Sequence, residues 1–87
     1  MAGISVHYWA GAKAAAGVEM ERFEADSVSA ALEQARDARG DPSFDRVLKM
    51  SSVLIDGVAA HREDLARPLS TDVRVEILPP FAGGAKR

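Results

Sequence analysis

The chain has 87 residues, of which 47% are hydrophobic and 28% are charged, and its formal net charge is −2. This length fits one small domain and excludes most multi-site enzymes, because a second hydrophobic core would have no room. With 13 acidic against 11 basic residues and no cysteine, the composition also excludes disulfides, thiolate metal sites and the basic excess that a nucleic-acid backbone requires.

The N-terminal region does not have the pattern expected of a targeting signal. No stretch approaches the roughly 20 apolar residues of a membrane span. His7 and Lys13 interrupt the alanine-rich start, which also lacks the basic region of a signal peptide. We therefore expect a soluble cytoplasmic protein that contacts neither membranes nor nucleic acid.

The first part of the chain predicts a hairpin of two strands. Residues 4–9 alternate with the period of a half-buried strand. Residues 12–16 are small and leave a helical turn or a loop open. A second strand is expected at about residues 18–23, but both of its sides mix apolar and charged residues, so its facing is ambiguous. The side of the first strand that we expect to be buried carries Ile4, Val6 and Tyr8.

Two helices are expected next. The main helix spans Val28–Arg39, with Asp26 or Ser27 as N-cap and Gly40 at the C-cap. Its predicted buried stripe consists of Val28, Ala31, Leu32, Ala35 and Ala38. A short second helix follows the start signal Asp41-Pro42, and its apolar positions are Phe44, Val47 and Leu48.

The remaining elements are three short strands. Asp56-Gly57 predicts a type I′ turn between strands at residues 53–55 and 58–61. After the polar segment 62–67, the last strand covers Val73–Leu78. Together with the helices, these five strands predict one α+β domain in which a helix packs across a mixed sheet.

The last strand runs into two prolines and then into a pair of glycines. Pro79 and Pro80 remove two amide donors, so the sheet must end there. The following residues are Phe81-Ala82-Gly83-Gly84, and glycines allow the chain to lie extended in a narrow slot. Such an end suits a carboxyl group that must reach the active site of another protein.

Residues 69–84, LSTDVRVEILPPFAGG, resemble the end of the ubiquitin-like sulfur carrier proteins of MoaD and ThiS type, and most closely MoaD, the small subunit of molybdopterin synthase. Residues 4–17, ISVHYWAGAKAAAG, resemble the first strand and turn of that family. The resemblance implies a β-grasp domain over residues 1–80 and a flexible C-terminal tail over residues 81–87.

The resemblance also implies a carrier rather than a catalyst. An adenylating enzyme of MoeB or ThiF type uses ATP to activate the carboxylate of Gly84, and a sulfur donor converts it to a thiocarboxylate. The carrier itself holds no cofactor. Pro79, Pro80, Phe81, Ala82 and Gly83 are the expected tail-recognition residues. The tail then enters the large synthase subunit, or another sulfur-accepting enzyme, where sulfur passes to a pterin precursor of the molybdenum cofactor.

The sequence departs from the family pattern at three places. Ala85, Lys86 and Arg87 follow Gly84, so we expect a protease to remove them before activation. Asp72 stands where a turn glycine is common, and Phe81 is bulkier than the residue that usually follows the prolines.

Several alternatives remain open. His7 and His61 allow only a two-ligand metal site, so no metal is expected, and no catalytic triad or phosphate-binding loop stands out.

Trp9 either caps the core at a sheet end or contributes to a partner interface. The carrier can instead serve thiamine, cysteine or secondary-metabolite synthesis. A protein modifier attached through Gly84, or an adaptor without chemistry, is also consistent with the sequence.

Overall fold

A computed structural model of the chain describes residues 1–80, which form five strands and four helices. The strands are β1 Ala2–Tyr8, β2 Met20–Ala25, β3 Ser52–Ile55, β4 Val58–Ala59 and β5 Val73–Leu78. The helices are α1 Ala10–Ala16, α2 Val28–Arg39, α3 Pro42–Met50 and α4 Arg62–Leu65.

The strands form one mixed sheet in the order β2-β1-β5-β3-β4. β5 lies in the middle and runs parallel to β1, while β1–β2, β3–β5 and β3–β4 are antiparallel pairs. The predicted α+β architecture with a mixed five-stranded sheet is confirmed. The predicted pairing of the first two strands is also confirmed, and of the two connections left open, a helical turn or a loop, the structure has the helix α1.

The alternation in the two central strands places one face of the sheet in the core. Ile4, Val6 and Tyr8 of β1 are at most 1% exposed, as the pattern predicts. Val75 and Ile77 of β5 lie beside Val6 and Tyr8 in register, and both are fully buried. Because side chains alternate along a strand, the intervening residues form the outer face of the sheet.

Helices α2 and α3 begin at the predicted caps. The Ser27 hydroxyl accepts a hydrogen bond from the Ala30 amide at 3.1 Å, and the Asp41 carboxylate accepts one from the Ser43 amide at 2.9 Å. Gly40 ends α2 in the left-handed conformation, with φ 55°. The predicted stripe is buried in α2 except for Ala38, which is exposed, whereas the next residue, Arg39, is partly buried.

Helices α1 and α4 correct the expectation of only two helices. The small residues 12–16 belong to α1, which starts at Ala10 and ends at Gly17 with φ 80°. The polar segment 62–67 contains α4, where the Asp64 carboxylate accepts a hydrogen bond from the His61 amide at 2.9 Å. Neither helix has a long apolar stripe, so their periodicity in the sequence is weak.

Four strands differ in their bounds from the prediction, of which β3 differs by one residue because it starts at Ser52. β1 starts two residues earlier and ends at Tyr8, and β4 ends at Ala59 because His61 begins α4. β2 covers Met20–Ala25 rather than 18–23, since its register pairs Phe23 with Ile4 and Ala25 with Ala2 on the core side. The ambiguity in its facing is thereby resolved.

The turn at Asp56-Gly57 is the predicted one. Both residues have positive φ, 49° and 83°, as a type I′ turn requires. Asp56 also exchanges two hydrogen bonds with Arg74: its amide donates to the Arg74 carbonyl at 2.8 Å, and its carboxylate accepts from the Arg74 amide at 2.8 Å. The turn therefore anchors the β3–β4 hairpin to the central strand.

Candidate functional site

The candidate site is the end of β5, where the chain leaves the sheet. Pro79 is half-buried and Pro80 is exposed, and neither lies in a strand. Because β5 is the central strand, this end is flanked on both sides by β1 and β3. The predicted tail residues Phe81, Ala82 and Gly83, the predicted reactive residue Gly84, and residues 85–87 lie outside the described residues.

Trp9 and the start of α1 lie directly beside this exit. The Trp9 amide donates a hydrogen bond to the Ile77 carbonyl at 3.2 Å, and the Trp9 carbonyl accepts one from the Ala12 amide at 2.9 Å. Pro79 packs beside α1: a Cβ atom at Gly11 would lie 4.0 Å from the Pro79 Cγ. The end of β1, the first turn of α1 and the first proline thus form one structural unit.

Apolar side chains are exposed on the outer face of the sheet near the exit. Trp9 is 45% exposed and Met20 is 48% exposed. Register places Met20 beside His7, His7 beside Glu76, and Glu76 beside Leu54. We call the outward residues Trp9, Met20, Leu54 and Leu78 the exit face. Sequence reasoning singled out Trp9 but missed Met20, Leu54 and Leu78, because this surface forms only once four strands are in register.

A polar cluster behind Trp9 fixes the end of β1. The Tyr8 hydroxyl donates to the Glu21 carboxylate at 2.9 Å, and Arg39 pairs with the same carboxylate at 3.0 Å. Burial raises the pKa of Tyr8 well above its ordinary value, and the hydrogen bond to Glu21 adds to this. Because Tyr8 immediately precedes Trp9, the cluster positions the exit.

The same arginine joins two helices to the sheet. The Arg39 guanidinium donates to the Ala16 carbonyl at the end of α1 at 3.1 Å, and it lies over the ring of Phe44 at 4.5 Å. The Phe44 ring packs edge-to-face on Tyr8, with centroids 5.7 Å apart. No local pattern in the sequence indicates this cluster, since its members come from four elements.

Asp72, the departure from the expected turn glycine, has a structural role at the opposite end of β5. Its carboxylate accepts a hydrogen bond from the Gly3 amide at 2.8 Å and pairs with Arg22 at 3.3 Å. The Gly3 amide, and to a smaller extent the Arg22 guanidinium, lower the pKa of Asp72. The residue therefore ties β1 and β2 to the start of β5.

Over residues 1–80, no group of three or more His, Asp or Glu side chains could hold a metal ion. His7 lies on β1 and His61 caps α4, so the two histidines belong to separate parts of the fold. No helix in this part of the chain is long and apolar enough to cross a membrane. In the described residues, the end of the central strand lies next to an exposed apolar surface.

Comparison of the fold with solved structures identifies its class. The small archaeal modifier protein 1 (SAMP1) of Methanosarcina acetivorans superposes with a TM-score of 0.78 at 25% identity, and the match covers 97% of this chain and 98% of that one. The chain has the ubiquitin-like β-grasp fold. No protein-family model matches the sequence, and no curated protein matches it significantly.

Two further β-grasp structures extend the comparison. SAMP1 of Haloferax volcanii gives a TM-score of 0.74 at 24% identity, with 94% of this chain and 99% of that chain covered. A chain of the complex of subunits 1 and 2 of the molybdopterin-converting factor of Helicobacter pylori gives 0.63 at 15% identity, covering 91% and 95%. The resemblance to MoaD-type carriers is therefore confirmed at the level of the fold, which modifiers share.

Proposed function

We propose that this β-grasp protein is a sulfur carrier, not a catalyst, and that its reactive group is the carboxylate of Gly84 in molybdopterin biosynthesis. One observation carries the proposal. The central strand of a ubiquitin-like sheet ends at Leu78, and Pro79 and Pro80 then precede the sequence Phe81-Ala82-Gly83-Gly84. Prolines prevent further pairing of this segment, and glycines add no side chains that block attack on a terminal carboxyl group.

The chemistry begins with activation by an adenylating partner. A carboxylate oxygen of Gly84 attacks the α-phosphate of ATP, and pyrophosphate leaves. A hydrosulfide equivalent from a sulfur donor then attacks the acyl carbon and forms a C–S bond. The bond between the acyl carbon and the AMP oxygen breaks, and AMP leaves with that oxygen. The product is a thiocarboxylate. Acid–base groups and ATP belong to the activating enzyme, of MoeB or ThiF type.

Proteolysis after Gly84 is part of this proposal. Ala85, Lys86 and Arg87 follow Gly84 in the sequence, so its carboxyl group is in a peptide bond and cannot be adenylated. A processing protease must hydrolyse the bond between Gly84 and Ala85.

The acceptor in this proposal is the large subunit of molybdopterin synthase. The superposition with a chain from a two-subunit molybdopterin-converting factor supports that choice of partner. On the carrier, we assign the contact to the exit face, because the exposed Trp9 lies beside the strand that leads to the tail, and the exposed Met20 lies on the same sheet face, two strands away. Large apolar side chains that are only half-buried are favoured as interface anchors.

Protein modification is the second candidate. Both SAMP1 structures are of small archaeal modifier proteins, and they have higher identity to this chain than the molybdopterin-converting factor chain does. A modifier would use the same activated Gly84, but a lysine amine would attack the acyl carbon and leave an amide bond.

Reaction products distinguish these functions. The chain ending at Gly84 is incubated with ATP, an adenylating enzyme and a sulfide donor, and its intact mass is measured. Replacement of one carboxyl oxygen by sulfur supports the carrier, amide-linked adducts support the modifier, and neither product indicates an adaptor. The chain ending at Arg87 is the matched control and should remain unmodified. Incubation of the thiocarboxylate with a large synthase subunit and the pterin precursor then tests the pathway.

A further inference from the structure

A groove lies on the helix side of the sheet, away from the exit face. It runs between α2, α3, β3 and α4 and has a volume of about 970 Å³. The helices pack mainly over β2, β1 and β5, so the β3 end of the core face is left open. None of the exit-face residues lines this groove.

The floor of the groove is apolar. Leu48 of α3, Val53 of β3 and Leu65 of α4 line it, and all three are only partly buried. Leu32 of α2 continues the floor into the core, where it is 9% exposed. Packing of apolar side chains from another molecule onto these residues would remove this surface from water, which is favourable.

The rim of the groove is basic. Arg46 and Lys49 of α3 and Arg62 of α4 are exposed, and within residues 1–80 none of them forms an ion pair. In contrast, Arg36 on the same rim pairs with Asp45 at 3.4 Å. The groove is lined by four basic and two acidic residues, whereas the whole chain has 11 basic and 13 acidic residues. Positive charge is therefore concentrated here on an otherwise acidic protein.

We propose that this groove binds an acidic segment of a partner protein, with apolar side chains on the floor and carboxylates at Arg46, Lys49 and Arg62. The apolar floor distinguishes this surface from a phosphate-backbone site, which needs a basic excess across the whole face. Complementary charge on the partner would both attract the segment and fix its orientation.

A second copy of this chain fits the groove less well. Its densest run of carboxylates lies at residues 19–24, and the carboxylates there already have ionic partners. Glu19 pairs with Lys13 at 3.3 Å, Glu21 with Arg39 at 3.0 Å, and Glu24 with Arg22 at 3.8 Å. Self-association through the groove would have to break these pairs, so a foreign segment is favoured.

The location of the groove has a functional consequence. The residues that line the groove include no exit-face residue and no residue of β5, although Ser52 at its edge is paired with Leu78. The acidic segment can therefore stay bound to the domain while another protein binds the domain's C-terminal residues. This binding does not depend on any chemistry at Gly84.

The test uses the full chain labelled with ¹⁵N and two short synthetic peptides. Both peptides carry leucines at helical spacing; one has glutamates at the remaining positions, and the other has lysines. We expect the glutamate peptide to shift amide resonances of α3, α4 and β3, and its affinity to fall as salt is added. The lysine peptide should not bind.

Charge reversal of a single rim lysine provides the matched comparison. Lys49→Glu should weaken binding of the glutamate peptide about tenfold, whereas Lys13→Glu should change it less than about twofold. Both lysines are exposed and lie in the last turn of a short helix, but Lys13 lies outside the groove. The pair of Lys13 with Glu19 is exposed and therefore weak, so both variants should fold. Trp9→Ala should leave the peptide affinity unchanged.

Four outcomes would overturn the proposal: no resonance shifts, shifts located on the exit face, equal binding of the lysine peptide, or equal weakening by both lysine variants. Concentration-dependent dimerisation that shifts the same groove resonances in the protein alone would assign the groove to a second copy instead. The thiocarboxylate assay is independent of every one of these results.

Discussion

Trp9 shows how the environment of one residue determines its use. Its amide is bound to the central strand and its carbonyl to α1, while 45% of its surface remains exposed. The backbone of Trp9 is thus held by the fold, and its ring is presented to solvent. This combination of a fixed backbone and an exposed aromatic ring is typical of interface anchors, since little conformational entropy is lost on binding.

Replacement of Trp9 by alanine should weaken partner binding more than it weakens the fold. We expect the affinity for the adenylating enzyme or the large synthase subunit to fall roughly tenfold to hundredfold. The free energy of unfolding should fall by about 1–2 kcal/mol, because part of the ring is packed. Calorimetric titration and urea unfolding measure the two effects.

Val58→Ala is the control for that comparison. Val58 is 69% exposed in β4, outside the exit face, so partner affinity should not change. A loss of stability in Trp9→Ala with unchanged partner affinity would show that Trp9 only caps the core.

Asp72 gives a prediction for acid stability. Its carboxylate has a pKa below the ordinary value of 3.8 in the folded chain, because the Gly3 amide and Arg22 favour the charged form. A depressed folded-state pKa contributes stability above the unfolded-state pKa, and that contribution is lost as pH falls through the folded value. Asp72→Asn should therefore be less stable than the parent above about pH 4, and the difference should shrink below it.

Urea unfolding of both proteins across acidic pH measures this effect. Arg22→Gln removes the cation but keeps Asp72. Its loss of stability relative to the parent should also shrink at acidic pH, but by less than that of Asp72→Asn. A stability difference between Asp72→Asn and the parent that is constant at all pH values would contradict the assignment.

At the scale of elements, Arg39 joins α1 and α2 to the edge of the sheet. Its guanidinium contacts Glu21 of β2 and the last carbonyl of α1, and the exposed fractions of the Arg39 and Glu21 side chains are 14% and 28%. A partly buried ion pair interacts more strongly than one on the surface. Removal of one partner leaves the other charge partly buried and without compensation. The short helix α1 needs tertiary contacts, of which this is one, because seven residues are too few for a stable isolated helix.

Arg39→Met should lower the free energy of unfolding by about 2–4 kcal/mol, since Glu21 would keep a partly buried charge. Arg36→Met is the matched control, because Arg36 lies on the same helix and pairs with Asp45 at 3.4 Å with half of its side chain exposed. That variant should change stability by at most about 1 kcal/mol. Equal losses in the two urea unfolding curves would show that the Arg39 cluster does not stabilise the joint between the helices and the sheet.

At the scale of the whole molecule, the small size of the domain agrees with the proposed function, in which the protein acts through its C-terminal carboxyl group and its binding surfaces. The exit face lies on the outer side of the sheet and the basic groove on the helix side. Two partners can therefore contact the domain at once. A chain of 87 residues has room for one hydrophobic core, and this core supports both surfaces. Binding a partner at either surface does not require a catalytic pocket.

The proposed processing predicts the mass of the working protein. In its native cell, the chain should be found ending at Gly84, because Arg87 is not the residue that the proposed chemistry activates. Intact-mass spectrometry of the native protein tests this expectation. Recovery of only the form that retains residues 85–87 would contradict the carrier proposal.

The sequence by itself determined the elements whose signals are local. β5 and α2 have the predicted bounds, and α3 has the predicted start, because alternation, side-chain caps and prolines act within a few residues. The Asp56-Gly57 turn was predictable for the same reason, since positive φ favours these two residue types. The tail motif that suggested the function is likewise contiguous in the chain.

Only the tertiary structure decided which surfaces these elements create. The facing of β2 depended on Phe23 meeting Ile4, and Glu21 is tolerated on the core side because Tyr8 and Arg39 reach it from other elements. The exit face and the basic groove likewise combine residues that are distant in the chain. Such contacts have no fixed spacing in the sequence, because their energy depends on strand register and on how the helices cover the sheet.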